Sequence, residues 1–426
     1  MVTPVRPCSP ADRTGNPLST HALRLDWTEG NAIRLLMNGA DFFPALCEAI
    51  DDARHHVHLE TYIFLLDRTG RKVLEALERA AGRGVRVRVV IDGFGSQEQG
   101  DAVVARIKAA GGDCRIFRPE PHWIKRLMFS RSRLRRLHRK VAIVDSEIAF
   151  IGGINIQDDY DDVALTEEIA ANPRFDFAVE VRGPLVPYAV HAQDLLWVRL
   201  NWAAARRHPK QWRRPAQWRR LQKPGDAPAQ PPAGGLRAAL VLRDNLRFRN
   251  TFERAYLYGI SRAREEILIA SAYFFPGVRF RKALARAAAR GVRVRLLLQG
   301  KIEYRMQYYA THALYEELLR AGIEIYEYMP SFLHAKVAVI DHMATVGSSN
   351  LDPFSLLLAR EANVVVDNAG FAEELHTRLE AEIARGGRLV RSVEYARRGW
   401  LRRCVDTVSY TVLRLGVALT GRSGKY

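Results

Sequence analysis

The chain has 426 residues, 48% apolar and 26% charged, which is the composition of a folded globular protein long enough for two domains and excludes a disordered or fibrous chain. Lys and Arg number 65 against 47 Asp and Glu, a net charge of +18, so an anionic partner is expected, either nucleic acid or an anionic membrane. Cys8, Cys47, Cys114 and Cys404 stand far apart without C-x-x-C spacing, which disfavours structural zinc or a disulfide framework and suits a reducing compartment.

Residues 1–24 are polar, lack the apolar core of a signal peptide and are expected to form a disordered tail. No run of about eighteen apolar residues follows, so no membrane span is expected. Helical apolar spacing at 41–53 leads into a strand at 56–64, a helix at 71–82 and a strand at 85–91. The same plan returns as helix 252–264, strand 266–273, helix 280–290 and strand 292–298. The near-identity of AAGRGVRVRVVIDG with AAARGVRVRLLLQG sets the register of this repeat. Strand–helix–strand units imply helices on the faces of a sheet. The expected fold is α/β: two αβα sandwich halves, 25–205 and 237–391, related by a pseudo-twofold axis, with the chemistry where they meet.

Three basic stretches stand outside this plan. Within the first half, PHWIKRLMFSRSRLRRLHRK at 121–140 carries eight Lys or Arg and no acid; it reads either as an interfacial segment on anionic lipid or as a solvated loop. Residues 206–236 read as an exposed linker from the Pro, Gly and Ala content of QKPGDAPAQPPAGG, and the basic, Trp-bearing RRHPKQWRRPAQWRR before it reads either as an irregular surface segment or as a membrane-contacting one. For the basic amphipathic segment 392–426 two readings stand: an anchor lying in the membrane interface, or a helix packed on the domain.

A more specific repeat lies inside the larger one. LHRKVAIVDSEIAFIGGIN at 137–155 returns as LHAKVAVIDHMATVGSSN at 333–350, each copy reading H-x-K-x4-D and then a Gly-rich turn ending in Asn. Alternate strand residues share a face, so His138 projects with Lys140 and His334 with Lys336. A neutral imidazole can attack phosphorus, a second can protonate the leaving oxygen, and Lys and Asn side chains can bind phosphoryl oxygens. That set suffices for phosphoryl or phosphatidyl transfer through a phosphohistidine, with no metal and no cofactor. Asp145 and Asp341 fall on the opposite parity and read as strand-end hydrogen-bonding groups. Each His needs an orienting carboxylate on its far nitrogen; Asp176 in RFDFAVEVRGP and Glu361 in AREANVVV, each ahead of an apolar strand, are the candidates. Glu60, Tyr62, Tyr273 and Phe274 fall at strand ends where the pocket is expected and are candidates to line it; for the three aromatics ordinary core packing is the favoured reading.

At these residues the chain resembles the phospholipase D superfamily, whose duplicated HKD motifs the two copies match: His138, Lys140 and Asp145, then His334, Lys336 and Asp341. More narrowly, it is similar to bacterial cardiolipin synthases of the B type. GNAIRLLMNGADFFPALCEAI, SAYFFPGVRF and TVGSSNLDPFSLLLAREANV carry the likeness across most of the chain. The resemblance implies one active site shared by two phospholipase D-like halves, with His138 as nucleophile and His334 as general acid. Asn155, Asn350 and Ser348 would bind phosphate, while Asp176 and Glu361 match the family's acidic positions. It further implies transfer of a phosphatidyl group from one phosphatidylglycerol to another with release of glycerol. The protein would be peripheral to an anionic phospholipid membrane, on the cytoplasmic face, without a nucleic-acid partner. The alternatives are a phospholipase D-type phosphodiesterase, hydrolysing lipid or nucleic acid, and a non-catalytic lipid-binding protein.

Overall fold

The computed structural model describes residues 25–120, 135–160, 172–207, 235–243, 251–352 and 359–419. The tail 1–24, most of the basic insertion and most of the linker lie outside them. The first half contributes β1 (Trp27–Met37), β2 (His56–Thr61), β3 (Arg86–Asp92), β4 (Asp113–Phe117), β5 (Lys140–Val144), β6 (Ile148–Gly152) and β7 (Phe177–Arg182). The second contributes β8 (Leu236–Arg243), β9 (Glu266–Ser271), β10 (Arg293–Gln299), β11 (Glu324–Tyr328), β12 (Lys336–Ile340), β13 (Met343–Gly347), β14 (Glu361–Asp367) and β15 (Gly387–Leu389).

All of these strands join one sheet in the order β15-β11-β10-β9-β12-β13-β14-β8-β1-β7-β6-β5-β2-β3-β4. Read outward from the centre, β1-β7-β6-β5-β2-β3-β4 and β8-β14-β13-β12-β9-β10-β11 are the same order, so a pseudo-twofold axis passes between β1 and β8. In each half, parallel strands connected by helices run outward, β2-β3-β4 and β9-β10-β11. Antiparallel strands run inward: β5-β6-β7 and β12-β13-β14. The Val- and Ile-rich β5 and β12 are buried along their whole length, as strands covered on both faces must be.

The expected helices occupy Asn38–Asp51, Arg68–Gly82, Thr251–Arg262 and Val278–Ala289. β1 and β8 were not anticipated as strands, yet their antiparallel pairing joins the halves. Buried Asn31 secures the join: its amide donates to the Thr28 and Leu236 carbonyls at 3.1 Å each, and its oxygen accepts the Leu185 N–H at 2.8 Å. A core cluster spans both halves, bringing Val141, Ile143, Phe175 and Phe177 together with Leu333, Val337 and Val364. Side chains of this size contribute about 1.5–3 kcal/mol each when fully buried, so the halves are fused by packing as well as by the sheet. At the C-terminus, helix Trp400–Leu419 packs on helix Arg305–Arg320. Among the described residues no helix is long and apolar enough to cross a membrane.

Candidate active site

Two short parallel bridges between the halves, Leu137 with Arg360 and Phe175 with Leu333, build the site. The His138 N–H donates to the Arg360 carbonyl at 2.9 Å, and the His334 N–H to the Phe175 carbonyl at 2.8 Å. Each motif histidine is thereby pinned beside the residue that precedes a carboxylate of the opposite half. The residue before each histidine is held from its own half: Asp92 accepts the Leu137 N–H at 2.8 Å, and Gln299 accepts that of Leu333 at 2.9 Å. Asp92 and Gln299 were not singled out from the sequence, although they hold the same place in its most obvious repeat.

The carboxylates pair across the interface. His138 Nδ1 lies 3.0 and 3.1 Å from the two Glu361 oxygens, and His334 Nδ1 lies 2.6 Å from Asp176 Oδ2. Both carboxylates are buried. With Nδ1 committed, Nε2 is the nitrogen that remains for chemistry on each ring. Buried Lys140 and Lys336 stand two residues along; Lys140 Nζ donates to the His138 carbonyl at 3.0 Å, and Lys336 Nζ donates to that of His334.

Burial dominates the electrostatics. It pushes Lys140 down to about 7 and Lys336 down to about 8, against the attraction of Asp176 and Glu361. It lowers His138, and it lowers His334 well below the usual imidazole value with help from Lys336 and Arg174. Asp176 is pushed up to about 6 by the same burial, against the pull of Lys336. Both lysines therefore titrate close to neutral pH, and an incoming anion favours their protonated forms, because an opposite charge at close range stabilises the ammonium.

Asp145 and Asp341 sit outside this cluster. Asp145 accepts the backbone N–H groups of Arg54, His55 and His56 at 2.8 Å each, and Asp341 those of Arg264, Glu265 and Glu266 at 2.9, 3.1 and 3.0 Å. Each thus caps the start of a neighbouring strand, as its parity indicates. Asn155 and Asn350 are buried; the Asn155 carbonyl accepts the Ile63 N–H at 3.3 Å, which leaves its NH₂ as the donor. Ser348 directs its hydroxyl to Glu361 at 2.5 Å, so the hydrogen expected to meet phosphate supports the carboxylate behind His138 instead. Its counterpart Gly153 has no room for a side chain, since a Cβ there would lie 2.3 Å from an Asp176 oxygen.

The mouth is aromatic and charged. The Tyr62 ring stands 4.9 Å from the His138 ring, and Lys140 Nζ lies 5.3 Å from the Tyr62 centroid. Tyr273 donates its hydroxyl to Glu303 at 2.6 Å, and Arg174 meets the same carboxylate at 3.3 Å. Glu303 and Arg174 carry no motif and were not anticipated. One expected lining residue is corrected. Glu60 points to the other side of the sheet, where it pairs with Arg139 at 3.0 Å, because its partner across the ladder is Val141, which alternates with site-facing Lys140 on β5. Phe274 is fully buried in the second half's core, the packing role favoured for it from the sequence. Among the described residues, no group of three or more His, Cys, Asp or Glu is placed to hold a metal ion.

The family profile described as cardiolipin synthase, PLD-like domain, matches residues 46–169 and 256–383. Cardiolipin synthase B of Escherichia coli strain K12 is 38% identical over 405 residues, covering 94% of this chain and 92% of that protein. The major cardiolipin synthase ClsA of Bacillus subtilis strain 168 is 30% identical over 360 residues, covering 84% of this chain and 69% of that one. Among solved structures, phosphatidylserine synthase of Haemophilus influenzae superposes with a TM-score of 0.64 at 13% identity, covering 92% of this chain and 95% of that chain. Polyphosphate kinase of Porphyromonas gingivalis superposes at 0.53 and 14% identity, covering 91% of this chain and 53% of that chain. At those identities the two structures speak to the fold alone.

Proposed function

The chain belongs to the phospholipase D-like cardiolipin synthase family, whose members are phosphatidyltransferases, and from that premise we propose that it makes cardiolipin from two phosphatidylglycerols at one site shared by both halves. The observation that carries this reading is the crossed pairing of His138 with Glu361 and His334 with Asp176, with Lys140 and Lys336 between.

The diester phosphate of the first phosphatidylglycerol enters between the two ammonium groups, with the Asn155 and Asn350 amides as further donors. Its negative charge favours the protonated forms of Lys140 and Lys336 and offsets the burial and the neighbouring cations that keep His334 neutral. Neutral His138, oriented by Glu361, attacks phosphorus through Nε2. The P–O bond to the glycerol headgroup breaks, and protonated His334 gives its proton to the departing oxygen. The result is a phosphatidyl-His138 intermediate and free glycerol. A headgroup hydroxyl of a second phosphatidylglycerol then gives its proton to His334 and attacks phosphorus, the P–N bond breaks, and cardiolipin leaves. Asp176 supports the imidazolium in both steps. Substrate and product are lipids, so the protein works on an anionic phospholipid membrane, which its +18 charge favours; the cytoplasmic face is its expected side.

The test is incubation of the purified protein with phosphatidylglycerol vesicles, with lipids and free glycerol read by mass spectrometry beside His138→Ala and His334→Ala. Cardiolipin and glycerol in equal amounts from the wild type, and from neither variant, support the reading. Phosphatidic acid as the sole lipid product makes the protein a hydrolase, and no lipid turnover at all removes the proposal.

A further inference from the structure

Helix Trp400–Leu419 has two apolar faces, and the fold uses one of them. The inner face packs on helix Arg305–Arg320: Leu413 and Asp406 are buried, Arg398 pairs with Asp406 at 2.7 Å, and the Tyr410 ring lies 5.2 Å from that of Phe275. The outer face carries Leu401, Val405, Val408, Val412 and Leu415, which are 39% to 63% exposed, and Trp400 beside them is 76% exposed. These five fall at i, i+4, i+7, i+11 and i+14, one stripe within roughly 80° of arc and about 21 Å long. Nothing in the described fold covers it.

The exposed charges of this segment have one sign. Arg397, Arg402, Arg403 and Arg414 are exposed, and the sole acid between 395 and 426 is Asp406, which is buried against Arg398. An apolar stripe bordered by Arg402, on a helix whose exposed charges are all arginines, matches the apolar–anionic boundary of a bilayer. The position fits too. The Arg402 charge acts on the hydroxyl of Tyr308, on the first turn of helix Arg305–Arg320. That helix follows directly on Glu303 and Tyr304, and the Tyr304 ring stands 5.8 Å from that of Tyr273 at the site mouth.

We infer that the outer stripe of helix Trp400–Leu419 is a docking surface for an anionic phospholipid bilayer, lying along it without crossing it and setting the mouth of the site against the lipid. The inference rests on the lipid substrate proposed above. The helix keeps its inner face on the protein while the outer stripe enters the headgroup boundary, so no unfolding is needed.

The experiment is co-sedimentation of the full chain with vesicles of phosphatidylcholine alone or with phosphatidylglycerol, for wild type and the double variant Val408→Asp, Val412→Asp. Both positions are solvent-exposed, and thermal melting checks that the fold is retained. Wild type binds the phosphatidylglycerol vesicles preferentially, and the variant loses at least about tenfold in affinity. Quenching by brominated lipid, compared between wild type and Trp400→Phe, places Trp400 in the bilayer without charging the stripe. Unchanged vesicle binding by the variant with no Trp400 quenching overturns the inference. So does a change confined to the oligomeric state by light scattering, which makes the stripe an interface between copies. Turnover of short-chain phosphatidylglycerol dispersed as monomers by the wild type reports the chemistry separately, so failure of the docking and failure of the proposed activity are told apart.

Discussion

His334 Nδ1 meets Asp176 Oδ2 at 2.6 Å although the two residues are 158 positions apart and belong to different halves of the sheet. The pair has a mirror in His138 and Glu361, 223 positions apart. Neither half therefore contains a complete histidine–carboxylate unit, and damage to a carboxylate should be felt by the other half's histidine.

Asp176→Asn and Glu361→Gln keep the shape of the pair and remove its charge. Each is expected to lower kcat by about 100-fold to 10,000-fold with little change in KM. Asp176→Glu should recover part of the loss, which separates a positioning role from simple loss of fold. Equal effects on kcat and KM would count against it.

The proposed division of labour predicts an asymmetry between the histidines. With a phosphatidyl donor whose leaving group is p-nitrophenolate, which needs no proton, His334→Ala should still form the phosphoenzyme at an appreciable rate, whereas His138→Ala should not. Acid-labile, base-stable phosphate on the protein is the readout. Phosphoenzyme in His138→Ala alone would reverse the two roles.

Lys140, at about 7, and Lys336, at about 8, must be protonated to hold phosphate. KM for phosphatidylglycerol should therefore rise as pH passes from 7 to 9, the protonated fraction falling with it. Stability moves the other way. Lys140 keeps its proton up to about 10.4 when unfolded but loses it near 7 in the fold, so the unfolded state binds more protons over that range and stability rises with pH through it. Relative to wild type, Lys140→Met should be most stabilising near pH 7, and the advantage should shrink towards pH 10 in urea titrations.

Gly153→Ala places a methyl group where an Asp176 oxygen lies 2.3 Å away. The carboxylate must turn from His334, and activity should fall about tenfold to 100-fold with a small change in melting temperature. Ser348→Ala removes one donor from Glu361 and should cost less, since His138 still holds that carboxylate.

Arg139 and Glu60 form a buried pair beneath the site at 3.0 Å. Arg139→Leu strands the Glu60 carboxylate and should cost about 3–5 kcal/mol in denaturant unfolding, while the double change with Glu60→Leu should recover much of it. Additive losses would mean that the two side chains do not depend on each other.

Much of this protein follows from its linear order. The spacing of His138 from Lys140 and of His334 from Lys336 places each pair on one face by strand geometry alone, and the opposite parity of Asp145 and Asp341 turns them to the backbone turns they cap. The duplicated stretch around Val85–Ile91 and Val292–Leu298 was enough to lay the halves over each other, because local periodicity reports which side of an element is buried. What periodicity cannot report is which distant segment stands opposite. The crossing of Asp176 to His334 and of Glu361 to His138 depends on β1 and β8, whose pairing joins the halves and carries no motif. Ser348 turns to Glu361 because that carboxylate fills the space beside it, and Glu60 faces away from the pocket because its strand pairs it with Val141 and not with Lys140. The C-terminal helix shows the same division: its sequence is amphipathic on either reading, but only the neighbouring helix decides which apolar face is covered and which is left for a partner.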